Sequence, residues 1–168
     1  MSGVPSSEVA HPFLSSAPHE GCSVEDRLIR SVVFGCCVTE TANCARFVDA
    51  LDPMTNPFLR DVTRQLLFDE ATHAQFGFYF LEARRPYLDA NPEVRKSVAR
   101  CLAFAFAVLD DEYRVPSPPL DDEGRSLGLP HGPHTHEIFR VTMEAAVIPG
   151  LERFGISAGE AWIRRSRS

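Results

Sequence analysis

Apolar residues recur along this chain at three- and four-residue intervals, in long stretches divided by proline-bearing breaks. The first stretch is Glu25–Leu51, where Leu28, Val32 or Val33, Phe34, Cys37, Cys44, Phe47 and Leu51 fall at helical spacing. Ser23, with Asp26 three residues on, gives it a capping-box-like start, and Asp52-Pro53 ends it. Asn56-Pro57 opens a second helix as a cap followed by proline at the first helical position. That helix should run to about Tyr87, stopped near Pro86, over about 45 Å at 1.5 Å per residue. Asn91-Pro92 repeats the start signal for a third helix to about Tyr113, buried through Val94, Val98, Leu102, Phe106 and Leu109. A fourth runs from about Thr135 to Phe154, with Pro149 and Gly150 kinking or breaking it. A short last helix starts at Ser157, where Glu160 completes a capping box. No strand pattern competes, so the expected class is all-α, an antiparallel helical bundle.

Between these stretches, residues 114–134 form a proline- and glycine-rich loop. Its length is unusual inside a compact domain and makes it a functional candidate. Residues 1–22, rich in Ser, Pro, Gly and Ala without periodicity, read as a flexible N-terminal arm ahead of a single helical domain over 23–168. Composition adds exclusions. The chain has 168 residues, with 17 basic against 23 acidic side chains and a net charge of −6. That balance disfavours nucleic acid or an anionic membrane surface as partner. No secretory signal and no membrane-length apolar run is visible, so the expected location is cytoplasmic. Five cysteines, Cys22, Cys36, Cys37, Cys44 and Cys101, form no CxxC pair and no even framework, and read as reduced thiols.

One constellation carries pointed chemistry. On the first helix Glu40 shares its stripe with Val33, Cys37, Cys44 and Phe47, which turns it toward the core. On the second, Glu70 and His73 form an ExxH pair one turn apart, on a stripe with Leu59, Leu66, Gly77 and Phe80 or Leu81. A buried, unpaired carboxylate must protonate, pair with a cation or bind metal. Neither stripe holds a Lys or Arg. Inward carboxylates and imidazoles from facing helices are how di-iron and di-manganese bundles are built. Spacing alone leaves open the plainer alternative of a core histidine hydrogen-bonded to one glutamate.

The stretch CCVTETANCARFVDALDPMTNPFLRDVTRQLLFDEATHAQFGFYFLE resembles the second half of ferritin-like di-iron carboxylate proteins, especially bacterial ferritin-like proteins related to the p-aminobenzoate N-oxygenase group. The residues that carry it are Glu40-Thr41, Asp52-Pro53 and Asp69-Glu70-Ala71-Thr72-His73-Ala74, within residues 31–85. The resemblance implies a ferritin-like bundle, two iron or manganese ions per site, Glu40, Glu70 and His73 as ligands, and Asp69 supporting a ligand histidine. It implies a non-haem O₂-dependent oxidoreductase acting on a small molecule or on ferrous iron. The N-oxygenase group has a further histidine four residues before the ExxH glutamate, where this chain has Leu66.

The segment supplies half of such a site, because a second Glu helix and a second ExxH helix do not precede it. Three accounts follow: a homodimer that shares one two-metal site between two chains, a partner chain that supplies the missing helices, or a degenerate non-catalytic half-bundle serving as a structural or interaction subunit. Further candidates are weaker. Glu144 could face inward as an additional ligand or be a solvated surface charge. His131, His134 and His136 are either a loose metal cluster or unrelated histidines of a polar loop. His136-Glu137 also sit where the fourth helix begins. No GxGxxG, P-loop or GxSxG motif is present.

Overall fold

The computed structural model describes residues 22–114, 120–130 and 132–165. The expected arm, all but Cys22, and His131 lie outside the described residues. Every regular element among the described residues is a helix, as the all-α expectation required. None of these helices is long and apolar enough to cross a membrane.

The first rod combines α1 (Val24–Val32), a π-helical stretch π1 (Val33–Glu40) and α2 (Thr41–Leu51). Ser23 Oγ accepts from the Asp26 amide at 3.1 Å, and Glu25 and Asp26 complement the positive end of the helix. Asn56 Oδ1 likewise accepts from the Leu59 amide at 3.2 Å, opening α3 (Pro57–Ala83). The chain breaks at Arg84, φ −98° and ψ 2°, so the second helix is shorter than its pattern suggested and a separate turn, α4 (Arg85–Ala90), follows. Arg84 pairs with Glu25 at 2.5 Å and the Tyr87 hydroxyl donates to Asp26 at 3.0 Å, tying this corner to the start of α1.

The third helix, α5 (Pro92–Tyr113), buries all five apolar residues its periodicity selects, Val94, Val98, Leu102, Phe106 and Leu109. Its cap differs from expectation. Asn91 donates through Nδ2 to the Tyr87 carbonyl at 2.8 Å, closing the end of α4 instead of opening α5. Among the described residues of the long loop stands a short helix, α6 (Asp122–Ser126), capped by Asp121. The fourth stretch divides into α7 (Gly132–Thr142), a second π stretch π2 (Met143–Val147) and α8 (Ile148–Glu152). Pro149, which has no N–H to donate, falls in the first turn of α8, so the wider π turn lets the rod continue where a kink was expected. In α9 (Ala158–Arg164) the expected capping box is absent. The Ser157 side chain makes no capping bond, and Glu152 Oε1 accepts from the Gly159 amide at 3.1 Å in its place.

One buried cluster runs from Ile29, Val33 and Val38 through Leu81 and Leu88 to Met143 and Leu151, and its aromatic part lies where α5, α7 and α9 meet. Phe106 and Trp162 meet edge to face at 5.2 Å, and Tyr113 stacks on Phe139 at 4.6 Å. Asp110 is buried among them. His136 Nε2 donates to it at 3.0 Å, Arg114 pairs with its other oxygen, and Arg165 stands 3.7 Å away. Burial disfavours the charge on Asp110. The His136 hydrogen bond and the Arg165 and Arg114 guanidinium groups outweigh that cost and hold the carboxyl below the ordinary carboxylate range.

On the opposite flank, α3 lies along π1 and α2. Gly77 makes the closest approach: a Cβ there would stand 2.7 Å from Cys36 Cβ and 2.8 Å from Cys37 Sγ. The buried residues of α3 are Thr63, Gly77 and Leu81. Leu66 and His73, expected on the packed stripe, are exposed.

Two tests follow. Gly77→Ala forces α3 away from the first rod and should cost about 1–3 kcal/mol in denaturant unfolding, as overpacking does. Asp110 has a folded pKa below its unfolded one, so its stabilisation is complete above the unfolded carboxylate range and disappears as pH falls through the folded value. Asp110→Asn should therefore cost about 2 kcal/mol at neutral pH and flatten the acid side of the stability–pH curve. An unchanged curve would refute this account of the cluster.

Candidate metal centre

Glu40 closes π1, and Glu70 and His73 occupy successive turns of α3 beside it. One ligand atom from each lies within 4.8 Å of the other two. This is the trio the spacing singles out, in a wetter setting than a core stripe implies. Glu40 and Glu70 are half-buried, and the His73 side chain is 59% exposed against 20% for Glu70. The reason is the rotation of α3. Its packed face runs through Thr63 and Gly77, so Glu70 sits at the edge of the seam and His73 a further turn toward solvent.

Within the trio, His73 Nδ1 donates to Glu70 Oε2 at 3.3 Å, and Asn43 Nδ2 donates to Glu40 Oε2 at 3.1 Å. Burial, and then the hydrogen bond shared with Glu70, holds the Glu40 carboxyl above the ordinary range. The same shared hydrogen bond lowers Glu70, with His73 adding to it and Arg46 acting through space. Their hydrogen bond thus moves the two carboxyls in opposite directions, and Glu40 is the one that takes up a proton first as pH falls. Among the described residues neither glutamate makes an ion pair with a Lys or Arg. The Thr41 hydroxyl, next to Glu40 in the chain, is buried without a hydrogen-bond partner among the described residues.

The donor set fits a first-row divalent ion. Two carboxylate oxygens and one imidazole nitrogen suit iron, manganese or zinc. Ligands about 2.1 Å from such an ion stand no more than about 4 Å apart. Neighbouring ligands of a tetrahedral ion stand about 3.4 Å apart, so closing the present trio onto a metal needs side-chain movement of roughly 1–2 Å. The neighbouring thiols are poor candidates. Burial raises Cys36 and Cys44, with Glu40 adding to the first and Glu70 and Glu40 to the second, and Cys37 is pushed up to about 12 by burial and by Cys36. Cys36, Cys37, Cys44 and Cys101 form no disulfide.

The remaining candidates do not join the trio. Asp69 is exposed and accepts from Gln65 Nε2 at 3.0 Å, so its hydrogen bond goes to the preceding turn and not to His73. Glu144 is exposed, accepts from Trp162 Nε1 at 3.1 Å and stands 3.5 Å from Arg140. His134 pairs with Asp49 at 2.8 Å while His136 turns to Asp110, so those two histidines diverge. Glu137, beside His136, pairs with Arg140. Sequence reasoning passed over two features. One is the Asp110–His136 pair, since an acid in an Asp-Asp-Glu run carries no sign of burial. The other is Arg46, six residues beyond Glu40, whose charge reaches Glu70. Arg46 also lines a cavity of about 260 Å³ with Phe47, Pro53, Leu129 and Pro130.

No family model, curated protein or solved structure matches the chain.

Where Glu40 holds a proton, metal must displace it. Affinity for Mn(II) should then rise with pH through the raised Glu40 range, and calorimetry in buffers of different ionisation enthalpy should show proton release. Binding indifferent to pH would contradict the raised Glu40 carboxyl.

Proposed function

We propose that this chain is a ferritin-like carboxylate–histidine metalloprotein, with Glu40, Glu70 and His73 as its share of a non-haem di-iron or di-manganese centre. The carrying observation is the convergence of the three donors within 4.8 Å, from two helices, with no basic side chain paired to either glutamate among the described residues. An open, carboxylate-rich iron site supplies O₂ activation when loaded, so the reaction class is O₂-dependent oxidation of a small molecule or of ferrous iron. Three donors are half of the six that such centres use. A second copy of the chain or a separate partner chain therefore supplies the remainder.

A second reading has its own observation. The exposure of His73, with Asp69 engaged by Gln65, is what a degenerate half-bundle serving as a structural or interaction subunit would show.

Metal analysis separates the two. Untagged protein reconstituted with Fe(II) should retain about one ion per chain, because three ligands per chain are half of a two-metal set. Glu70→Ala and His73→Ala should each abolish retention, and the loaded protein should consume O₂. Protein that ignores Fe(II) and Mn(II) would sink the metalloprotein reading and leave the interaction subunit.

A further inference from the structure

We infer that the cavity between α2 and the loop segment 126–130 binds a small organic carboxylate, its charge held by Arg46 and its apolar body by Phe47, Pro53 and Leu129. The inference stands on that cavity alone and does not depend on a metal at Glu40, Glu70 and His73.

The loop that the sequence singles out for its length forms one wall of the cavity, and it is fastened at two points. The Thr55 amide donates to the Ser126 carbonyl at 3.1 Å, fixing the loop to the turn after α2. His134 Nε2 donates to Asp49 Oδ1 at 2.8 Å, fixing the start of α7 to α2. Between these ties Gly128, at φ +74°, folds the chain back onto α2, where a Cβ would stand 3.1 Å from the Ala50 carbonyl oxygen. A space of about 260 Å³ is left, with Phe47, Ala50, Pro53, Leu129 and Pro130 as its apolar lining. Leu129 and Pro130 are exposed, so that wall borders solvent and a ligand can enter past it.

Arg46 selects the ligand. Asp49, three residues further along α2, is the partner a helix ordinarily offers an arginine. Here it is engaged by His134 instead. Arg46 is half-buried and, among the described residues, makes neither an ion pair nor a hydrogen bond. Its guanidinium lies 5.6 Å from the centroid of the Phe47 ring, and its charge reaches Glu70 and Tyr113 through space only. A fork of N–H donors therefore stands unused at the edge of an apolar space. A carboxylate matches that fork with two parallel hydrogen bonds. A phosphate dianion carries more charge than one arginine answers, and a neutral ligand leaves the guanidinium bare. The volume sets the size. A cavity of ~150 Å³ holds benzene, so this one has room for a single ring with a short acid arm.

The test is a titration of the full chain with sodium phenylacetate in chelator, followed by amide chemical shifts in NMR, with phenylacetamide as the uncharged probe of the same shape. Chelator removes any metal that could hold the acid, so this proposal and the metal-centre reading fail separately. Saturable shifts are expected at Phe47, Ala50, Gly128 and Leu129. Phenylacetamide should bind roughly ten- to a hundredfold more weakly, the loss that goes with a charge-assisted hydrogen bond. Arg46→Gln should weaken phenylacetate by a similar factor and change phenylacetamide little, with native circular dichroism. Phenylacetate that does not saturate by about 10 mM, shifts centred elsewhere on the molecule, or acid and amide bound alike each overturn the proposal. A folded Arg46→Gln that binds the acid as the wild type does, or weakens acid and amide equally, overturns it too. The comparison of acid with amide uses the wild-type chain, so it decides the matter even where the variant does not fold.

Discussion

The contact on which the rest depends is the seam between α3 and the first rod at Gly77. Because residue 77 has no Cβ, the α3 backbone comes close enough to touch Cys36 and Cys37. Glu40 lies one turn beyond those cysteines and Glu70 two turns before Gly77. Two helices running in opposite directions from that anchor bring Glu40 level with His73 and leave Glu70 one turn further along, within reach of its side chain. A wider seam would carry the acids apart and leave each to hydrate alone. The pairing of the two acids is thus a consequence of helix packing before it is a feature of any site.

The backbone around Glu40 is part of the same construction. A π turn spreads each repeat over more residues than an α turn and so shifts the phase of everything after it. Here the stretch of π geometry closes on Glu40, and a second such stretch, π2, packs near it. Without π1, the residues that follow would present a different face to α3. A long π stretch is costly in hydrogen-bond geometry, and such turns are frequent at functional sites. In this chain one of them ends on Glu40, whose carboxyl is held above the ordinary range by burial and by Glu70.

Much of the architecture was legible in the sequence. The third helix was legible in full, because Val94 through Leu109 make one unbroken apolar stripe and nothing competes with it. The caps at Ser23 and Asn56 were legible because a short acceptor precedes an open helix start. Asn91 and Ser157 carry the same signal, yet tertiary contacts claim their roles: Tyr87 offers Asn91 a carbonyl, and Glu152 reaches the α9 amides first. The grouping of Glu40, Glu70 and His73 followed from spacing alone, and their degree of burial did not. α3 carries apolar residues on two sides, and periodicity cannot say which side the rod occupies. The π stretches leave no pattern that an α-helical wheel can read, and the burial of Asp110 depends on rings contributed by α7 and α9.

That ambiguity of α3 has its own meaning. A surface helix that packs on one neighbour needs one apolar stripe, and a polar far side keeps it soluble. A second stripe costs solubility in any state that leaves it uncovered, and the turn from Glu70 to His73 beside it holds two of the three clustered donors. Apolar surface and metal donors on one exposed flank impose opposite demands. The hydrophobic residues exclude water, and the carboxylates require either water, a proton or a cation. The half-exposed setting meets that demand here, because water reaches both carboxyls while Asn43 donates to Glu40 and His73 to Glu70.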